Sequence, residues 1–194
     1  TRLGLVDVKV AAAEPAADNY TFFVVYARAD VSLDYATIDV PEIVFRKLGF
    51  DDLNKLIEDR VARRVVVLGA CTGTDTHTVG IDAILNMKGY SGDYGLERYP
   101  WFEAYNLGSQ VPNEELIRKA EEKKADAILV SQVVTQRDVH KDNSRQFIDV
   151  AKAHGLKGKT ILLLGGPRVD HKLAMELGFD AGFGPGTKPS DVAN

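Results

Sequence analysis

The chain has a single cysteine, Cys71, so no internal disulfide is possible and nothing in its thiol content points to an oxidising compartment. Runs of five like charges are absent, and Lys+Arg 24 against Asp+Glu 28 leaves a formal net charge of -4, which excludes the usual footprint of a nucleic-acid binder. Long hydrophobic runs are missing as well. The apolar stretch over 65–70 falls far short of the roughly 18 residues a membrane span requires. These absences predict a reducing, cytoplasmic setting with small molecules or proteins as partners. Neither Gly-x-Gly-x-x-Gly nor Gly-x-x-x-x-Gly-Lys-Ser/Thr occurs, so the phosphate cradles of dinucleotide and P-loop sites are lacking. The first residue is Thr1 rather than Met, and the N-terminus is expected to be a boundary within a longer chain. What remains is an ordinary globular composition, 45% hydrophobic and 27% charged over 194 residues, enough for one domain and part of a second.

Residues 1–60 differ in texture from the rest. Two strand-like runs, 5–10 and 20–29, and a Pro/Asp-punctuated stretch before Pro41 predict a small α+β unit, expected to be incomplete at its N-terminus. Asp39 and Pro41 mark the start of a helix over 42–48 that stops at Gly49. A second helix over 51–63 carries Leu53, Leu56, Ile57 and Val61 at helical spacing and leads into a second domain, 61–194. From there, apolar runs at 65–71, 102–107, 127–134, 160–164 and 179–183 alternate with amphipathic patterns at 78–88, 113–124, 142–154 and 170–177. Strands apolar on consecutive positions are those covered on both faces. The alternation therefore predicts an α/β fold with a Rossmann-like (flavodoxin-like) five-stranded parallel sheet.

In such sheets ligands bind beyond the carboxyl ends of the strands, so the residues after each run carry the functional signal. Asp75-Thr-His77-Thr-Val-Gly80 follows the first run, Ser131-Gln-Val133 the third, Gly165-Gly166 the fourth, and Gly184-Pro185-Gly186-Thr187 the fifth. A loop histidine can bind a metal through one ring nitrogen while the other donates to a carboxylate such as Asp75. Equally, Asp75 and Thr78 suit a helix cap, with His77 a polar loop residue. Farther on, Lys88 and Gly89 fit the last turn and stop of the helix over 78–88. That helix would put Lys88 about 16 Å along the axis from His77. His140, His154 and His171 suit surface or capping positions. Tyr90, Tyr94, Tyr99 and Trp101 suit packing or an interface. Arg98 and Glu97 are candidates for contact with a partner.

Taken together, Asp75-x-His77-x-x-Gly80, Ser131-x-Val133, Gly165-Gly166 and Pro185-Gly186-Thr187 resemble the base-off/His-on cobalamin-binding domains, whose pattern is DxHxxG, SxL, GG; Val133 stands where that pattern has Leu. The segment 75–99, Asn106-Leu-Gly-Ser-Gln110 and the stretch 130–140 resemble more narrowly the small subunit of the lysine 5,6-aminomutase family, related to the cobalamin domain of ornithine 4,5-aminomutase. The resemblance implies an isomerase subunit that catalyses a radical 1,2-amino shift on D-lysine or L-β-lysine with adenosylcobalamin and pyridoxal phosphate. It implies His77 as the cobalt ligand. The cofactor's tail would lie among Gly80, Ser131, Val133, Gly165, Gly166, Gly184, Pro185 and Gly186. Lys88 would form an internal aldimine with pyridoxal phosphate of a large TIM-barrel partner in an α2β2 assembly. A corrinoid methyl carrier shares the four loops but has no use for Lys88, and a metal-free interaction domain leaves His77 unexplained.

Overall fold

The computed structural model describes residues 5–17, 20–28 and 47–194. Of the helix expected over 42–48, residues 42–46 lie outside the described residues, and 47–49 are non-helical. The chain separates into two units, Thr1–Phe45 and Arg46–Asn194.

In the first unit, strands β1 (Val6–Ala17) and β2 (Tyr20–Arg28) pair antiparallel, with Val6 opposite Arg28 and Ala17 opposite Tyr20. Strand β1 runs well past the expected run at 5–10. The hairpin exposes Val8, Val10, Phe22, Phe23 and Tyr26. A two-stranded ribbon is marginal in water unless something covers its apolar side chains.

The second unit opens with helix α1 (Phe50–Arg60). It continues through β3 (Val65–Cys71), α2 (Val79–Leu85), β4 (Phe102–Asn106), α3 (Asn113–Lys123), β5 (Ala127–Ser131) and α4 (Val139–Ala153). It closes through β6 (Ile161–Gly165), α5 (His171–Leu177), β7 (Ala181–Phe183) and α6 (Pro189–Ala193). The five strands from β3 onward form one sheet in the order β4-β3-β5-β6-β7, each neighbouring pair parallel. This is the flavodoxin-like order, and its topological switch point lies between β3 and β5.

Two apolar cores follow from the consecutive burial of strand residues. On one face Leu68, Ile128 and Leu162 pack with Leu116, Ile117, Phe147 and Ile148 of α3 and α4, and the rings of Phe147 and Phe179 stack at 5.7 Å. On the other, Val67, Cys71 and Leu129 pack with Leu53 and Ile57 of α1 and Ile81 and Leu85 of α2. The strands' N-terminal ends are tied by carboxylates: Asp126 takes both Arg63 nitrogens (2.7 and 2.6 Å) and the Val66 N–H (2.8 Å), and Asp180 takes the Leu162 N–H (2.8 Å). The opposite edge is thereby left to the loops. Among the described residues no helix is long and apolar enough to cross a membrane.

Three helices differ from the sequence expectation in ways that bear on the site. Helix α2 stops at Leu85 rather than 88, because Asn86 turns to extended geometry (φ -60°, ψ 141°) and the Met87 N–H goes to the Glu97 carboxylate (3.0 Å). Lys88 therefore stands on a turn after the helix, and the 16 Å axial separation does not apply. Helix α4 begins at Val139, which carries His140 inward; it is buried rather than a surface or capping residue. Helix α6 is additional, set by Pro189 at its first turn and a reciprocal cap between Lys188 and Asp191.

Candidate functional site

The β3 loop turns on Asp75. Its side chain is 2% exposed, whereas that of His77 is 57% exposed. Asp75 Oδ1 accepts the His77 backbone N–H (3.0 Å) and lies 2.9 Å from His77 Nδ1. Its Oδ2 accepts the backbone N–H groups of Val133 and of Val134, the latter at 3.1 Å. Burial alone would push this carboxyl up, but the N–H groups of His77, Val133 and Val134 and the imidazole outweigh it and hold it below the ordinary value. An ionised Asp75 can only accept, so Nδ1 carries a proton, and the neutral His77 ring is held in the tautomer whose lone pair is on Nε2. The helix-cap alternative does not hold: α2 is preceded by Thr78 with no side-chain cap bond, and the Asp75 carboxylate is engaged across the sheet switch point instead.

Further groups that the sequence does not single out hold this loop. The Cys71 thiol donates to the His77 carbonyl oxygen (2.7 Å), and burial first of all pushes that thiol up to about 11, so it stays a neutral donor. Gln132 donates from Nε2 to the Thr72 carbonyl (3.1 Å) and hydroxyl (2.9 Å), clamping the β5 loop onto the β3 loop. Asn143 of α4 donates to the same hydroxyl (2.7 Å). His140 sits buried on α4 with no partner for Nδ1 among the described residues, and burial lowers its pKa, keeping it neutral. His154 pairs with Glu121 (3.1 Å), and His171 is exposed at the start of α5.

Beside the His77 loop lies a cavity of about 300 Å³ between α2, α6 and the carboxyl ends of β5, β6 and β7. Gly80, Ser131, Val133, Gly165, Gly166, Gly184, Pro185 and Gly186 all line it, so eight of the residues singled out in the sequence converge on one space. The two glycines after β6 have different roles. A Cβ on Gly165 would have no neighbour nearer than 3.9 Å, whereas one on Gly166 would stand 2.1 Å from the Gln132 carbonyl oxygen. Gly80 likewise has only the Ser131 hydroxyl, at 3.7 Å. Gly80→Ala is therefore expected to leave folding intact and to weaken occupation of the cavity about tenfold. Gly166→Ala is expected to cost about 1–3 kcal/mol of stability. Thermal denaturation beside a titration with hydroxocobalamin, a stable form of the cofactor that the resemblance implies, separates the two.

Lys88 is exposed and has no ion pair among the described residues. It lies outside the cavity lining. The aromatic segment behind it is divided: Tyr99 is buried against Phe50 (4.4 Å) and Phe102 (5.5 Å), whereas Tyr90 and Tyr94 are exposed, with Arg98 over the Tyr94 ring at 4.5 Å. Glu97 holds the Lys88 turn through Met87 rather than projecting freely.

Among the described residues no three His, Cys, Asp or Glu side chains gather to hold a bare ion. His77 can thus offer a metal one nitrogen only, which suits a metal that arrives in its own macrocycle. Residues 65–193 match the family of B12-binding domains, and residues 1–42 match the dimerisation domain of D-ornithine 4,5-aminomutase. The chain is 53% identical over 192 residues to the lysine 5,6-aminomutase beta subunit of Fusobacterium nucleatum, and 49% identical over 192 residues to that of Acetoanaerobium sticklandii. Each alignment covers 99% of this chain and 73% of the relative. In fold it is similar to a cobalamin-binding protein from Desulfitobacterium hafniense, with a TM-score of 0.53 at 22% identity over 74% of this chain and 64% of that one.

Proposed function

The chain belongs to the family of lysine 5,6-aminomutase beta subunits, cobalamin-binding parts of an isomerase that acts with a partner subunit, and on that premise we propose that His77 ligates cobalt while Lys88 anchors a second cofactor. The observation that carries this reading is the Asp75–His77 clasp standing beside a glycine-lined cavity. The residues fit cobalamin. Nε2 of His77 is free to coordinate, and Gly80 and Gly165 leave open the volume a Cβ would fill.

The cofactor is adenosylcobalamin, with its nucleotide tail in the cavity along Gly80, Ser131, Val133, Gly165, Gly166, Gly184, Pro185 and Gly186. Pyridoxal phosphate is shared with a large TIM-barrel partner in an α2β2 assembly in the cytoplasm. The substrate is D-lysine or L-β-lysine. Bound adenosylcobalamin would supply radical initiation, and pyridoxal phosphate would supply the carbonyl carbon to which the migrating nitrogen stays attached during a 1,2-amino shift. This chain's own residues do the holding: Asp75 keeps the proton on His77 Nδ1, Val133 and Val134 keep Asp75 ionised, and Lys88 reaches outward from an exposed turn. The unit Arg46–Asn194 performs this work, and the unit Thr1–Phe45 serves assembly. Exposed Val8, Val10, Phe22, Phe23 and Tyr26 on its hairpin support the latter role.

His77→Ala is the test. Cob(II)alamin bound to the full chain is expected to show nitrogen hyperfine splitting in its electron paramagnetic resonance spectrum. The variant is expected to lose the splitting and to bind about 10- to 100-fold more weakly. Its circular dichroism is expected to stay unchanged, because the imidazole is mostly exposed. Retention of the splitting would assign the lower ligand elsewhere.

A further inference from the structure

One wall of the cavity does not come from the strand-end loops. Tyr90, 51% exposed, lines it together with Gly184 and with Val192 of α6. This tyrosine stands two residues after Lys88 and opens a tight hairpin with Asp93. The two residues exchange both backbone bonds, each at 3.0 Å. Ser91 and Gly92 between them both have positive φ, 53° and 79°, the geometry of a two-residue type I′ turn that holds its flanks close. A second tie runs from the hairpin to α6, where the Ser190 hydroxyl donates to the Asp93 carboxylate. Helix α6 follows closely on Gly184–Thr187, which line the cavity. The segment carrying Lys88 is thus attached to the cavity at two points, by the Tyr90 ring and by Asp93.

We infer that Tyr90 is a binding residue for the nucleotide tail of cobalamin and that tail occupancy fixes the turn carrying Lys88. The inference rests on the proposed reading that the tail fills this cavity and that Lys88 anchors pyridoxal phosphate. Its physical content is linkage. The turn at 86–95 is largely exposed, and an exposed turn opens locally at little cost. A tail packed against Tyr90 favours the closed turn, and by reciprocity a fixed turn favours the tail. A flat heteroaromatic group suits a tyrosine ring, which offers an apolar face and a polar tip. The residues between Lys88 and α6 therefore join the site of radical initiation to the site of amino-group chemistry within one chain.

Hydrogen exchange read by mass spectrometry tests this on the full chain assembled with its partner subunit and freed of pyridoxal phosphate. The probes are hydroxocobalamin and cobinamide, which keeps the corrin and cobalt but lacks the nucleotide tail. Peptides over 86–95 are expected to exchange at least about fivefold more slowly with hydroxocobalamin than with cobinamide. Tyr90→Ala is expected to remove that difference while protection at 131–133 and 165–166 persists, and Tyr90→Phe is expected to retain it. If 131–133 and 165–166 are protected by hydroxocobalamin alone while 86–95 exchanges equally with both probes, the linkage is overturned and the tail reading survives. If neither probe separates the exchange at 131–133 and 165–166, the tail reading itself fails, and the inference with it.

Discussion

Lys88→Ala is expected to abolish turnover in the assembled enzyme, by about 100-fold or more, while leaving the spectrum of bound cobalamin unchanged. The separation of effects follows from where the residue stands. Lys88 is exposed, lies on the turn beyond the end of α2 at Leu85, and is not among the residues lining the cavity. Truncating it removes no buried contact and no tie on the His77 loop. What it removes is a primary amine, the group through which a lysine attaches to the carbonyl of pyridoxal phosphate. Borohydride reduction of the assembled wild-type enzyme without substrate is expected to leave a pyridoxyl label that mass mapping assigns to Lys88; the variant is expected to carry none. A label on another lysine, or turnover within tenfold of wild type, would remove Lys88 from the chemistry.

Asp75→Ala has the largest expected effect on the protein itself. The carboxylate accepts three backbone N–H groups and faces the His77 ring at 2% exposure. Alanine leaves these donors without an acceptor, and each unmade buried bond costs about 1–3 kcal/mol. With some rehydration of the emptied space, a loss of about 3–5 kcal/mol in urea denaturation is expected. Asp75→Asn, which keeps the volume and one acceptor oxygen, is expected to lose about half as much. Both variants are expected to weaken cobalt ligation about 10- to 100-fold, because the imidazole is no longer oriented. The pH dependence has a definite sign. The folded-state value lies below the usual 3.8, so the carboxylate's contribution is complete above that pH and is lost as pH falls through the folded value. The gap in stability between wild type and Asp75→Ala is expected to narrow as pH falls below 3.8, and a gap that stays constant through that fall would remove the carboxylate as its source.

The sheet was legible because its strands are short apolar runs ended by glycine or polar loops. The four loops were legible because small and polar residues interrupt otherwise apolar sequence at regular intervals. Where the reading failed, a distant group had taken over a backbone donor. The run at 127–134 is apolar almost throughout, yet β5 stops at Ser131. The N–H groups of Val133 and Val134 are bound to Asp75, 59 residues back in the case of Val134, and cannot continue a ladder. The pattern over 78–88 reads as one helix because Asn86, Met87 and Lys88 tolerate helix and Gly89 ends it. Glu97 captures the Met87 N–H and Asn106 reaches Asn86 (3.3 Å), and these tertiary bonds override weak local preference. His140 differs because α4 starts three residues before the pattern over 142–154, and the added turn puts His140 on the same inward face as Ser144, Phe147 and Ile148. Backbone donors have no side-chain signature, so the most heavily bonded part of the site was the least readable. Gln132, between Ser131 and Val133, carries no signal of its own because a glutamine in a loop suits a solvent-facing position; it is 3% exposed.

Cys71 gives the His77 loop an internal clock. The chain's one thiol is fully buried, protonated at physiological pH, and bonded to the carbonyl oxygen of the residue that presents the imidazole. An alkylating reagent reaches that sulfur only when the loop has lifted, because the thiolate form and solvent access are both needed for reaction. Labelling kinetics at this one position therefore count how often the ligand loop comes off the sheet, without a tag or a substitution. Ligands that hold His77 in place slow that count in proportion to how tightly they hold it.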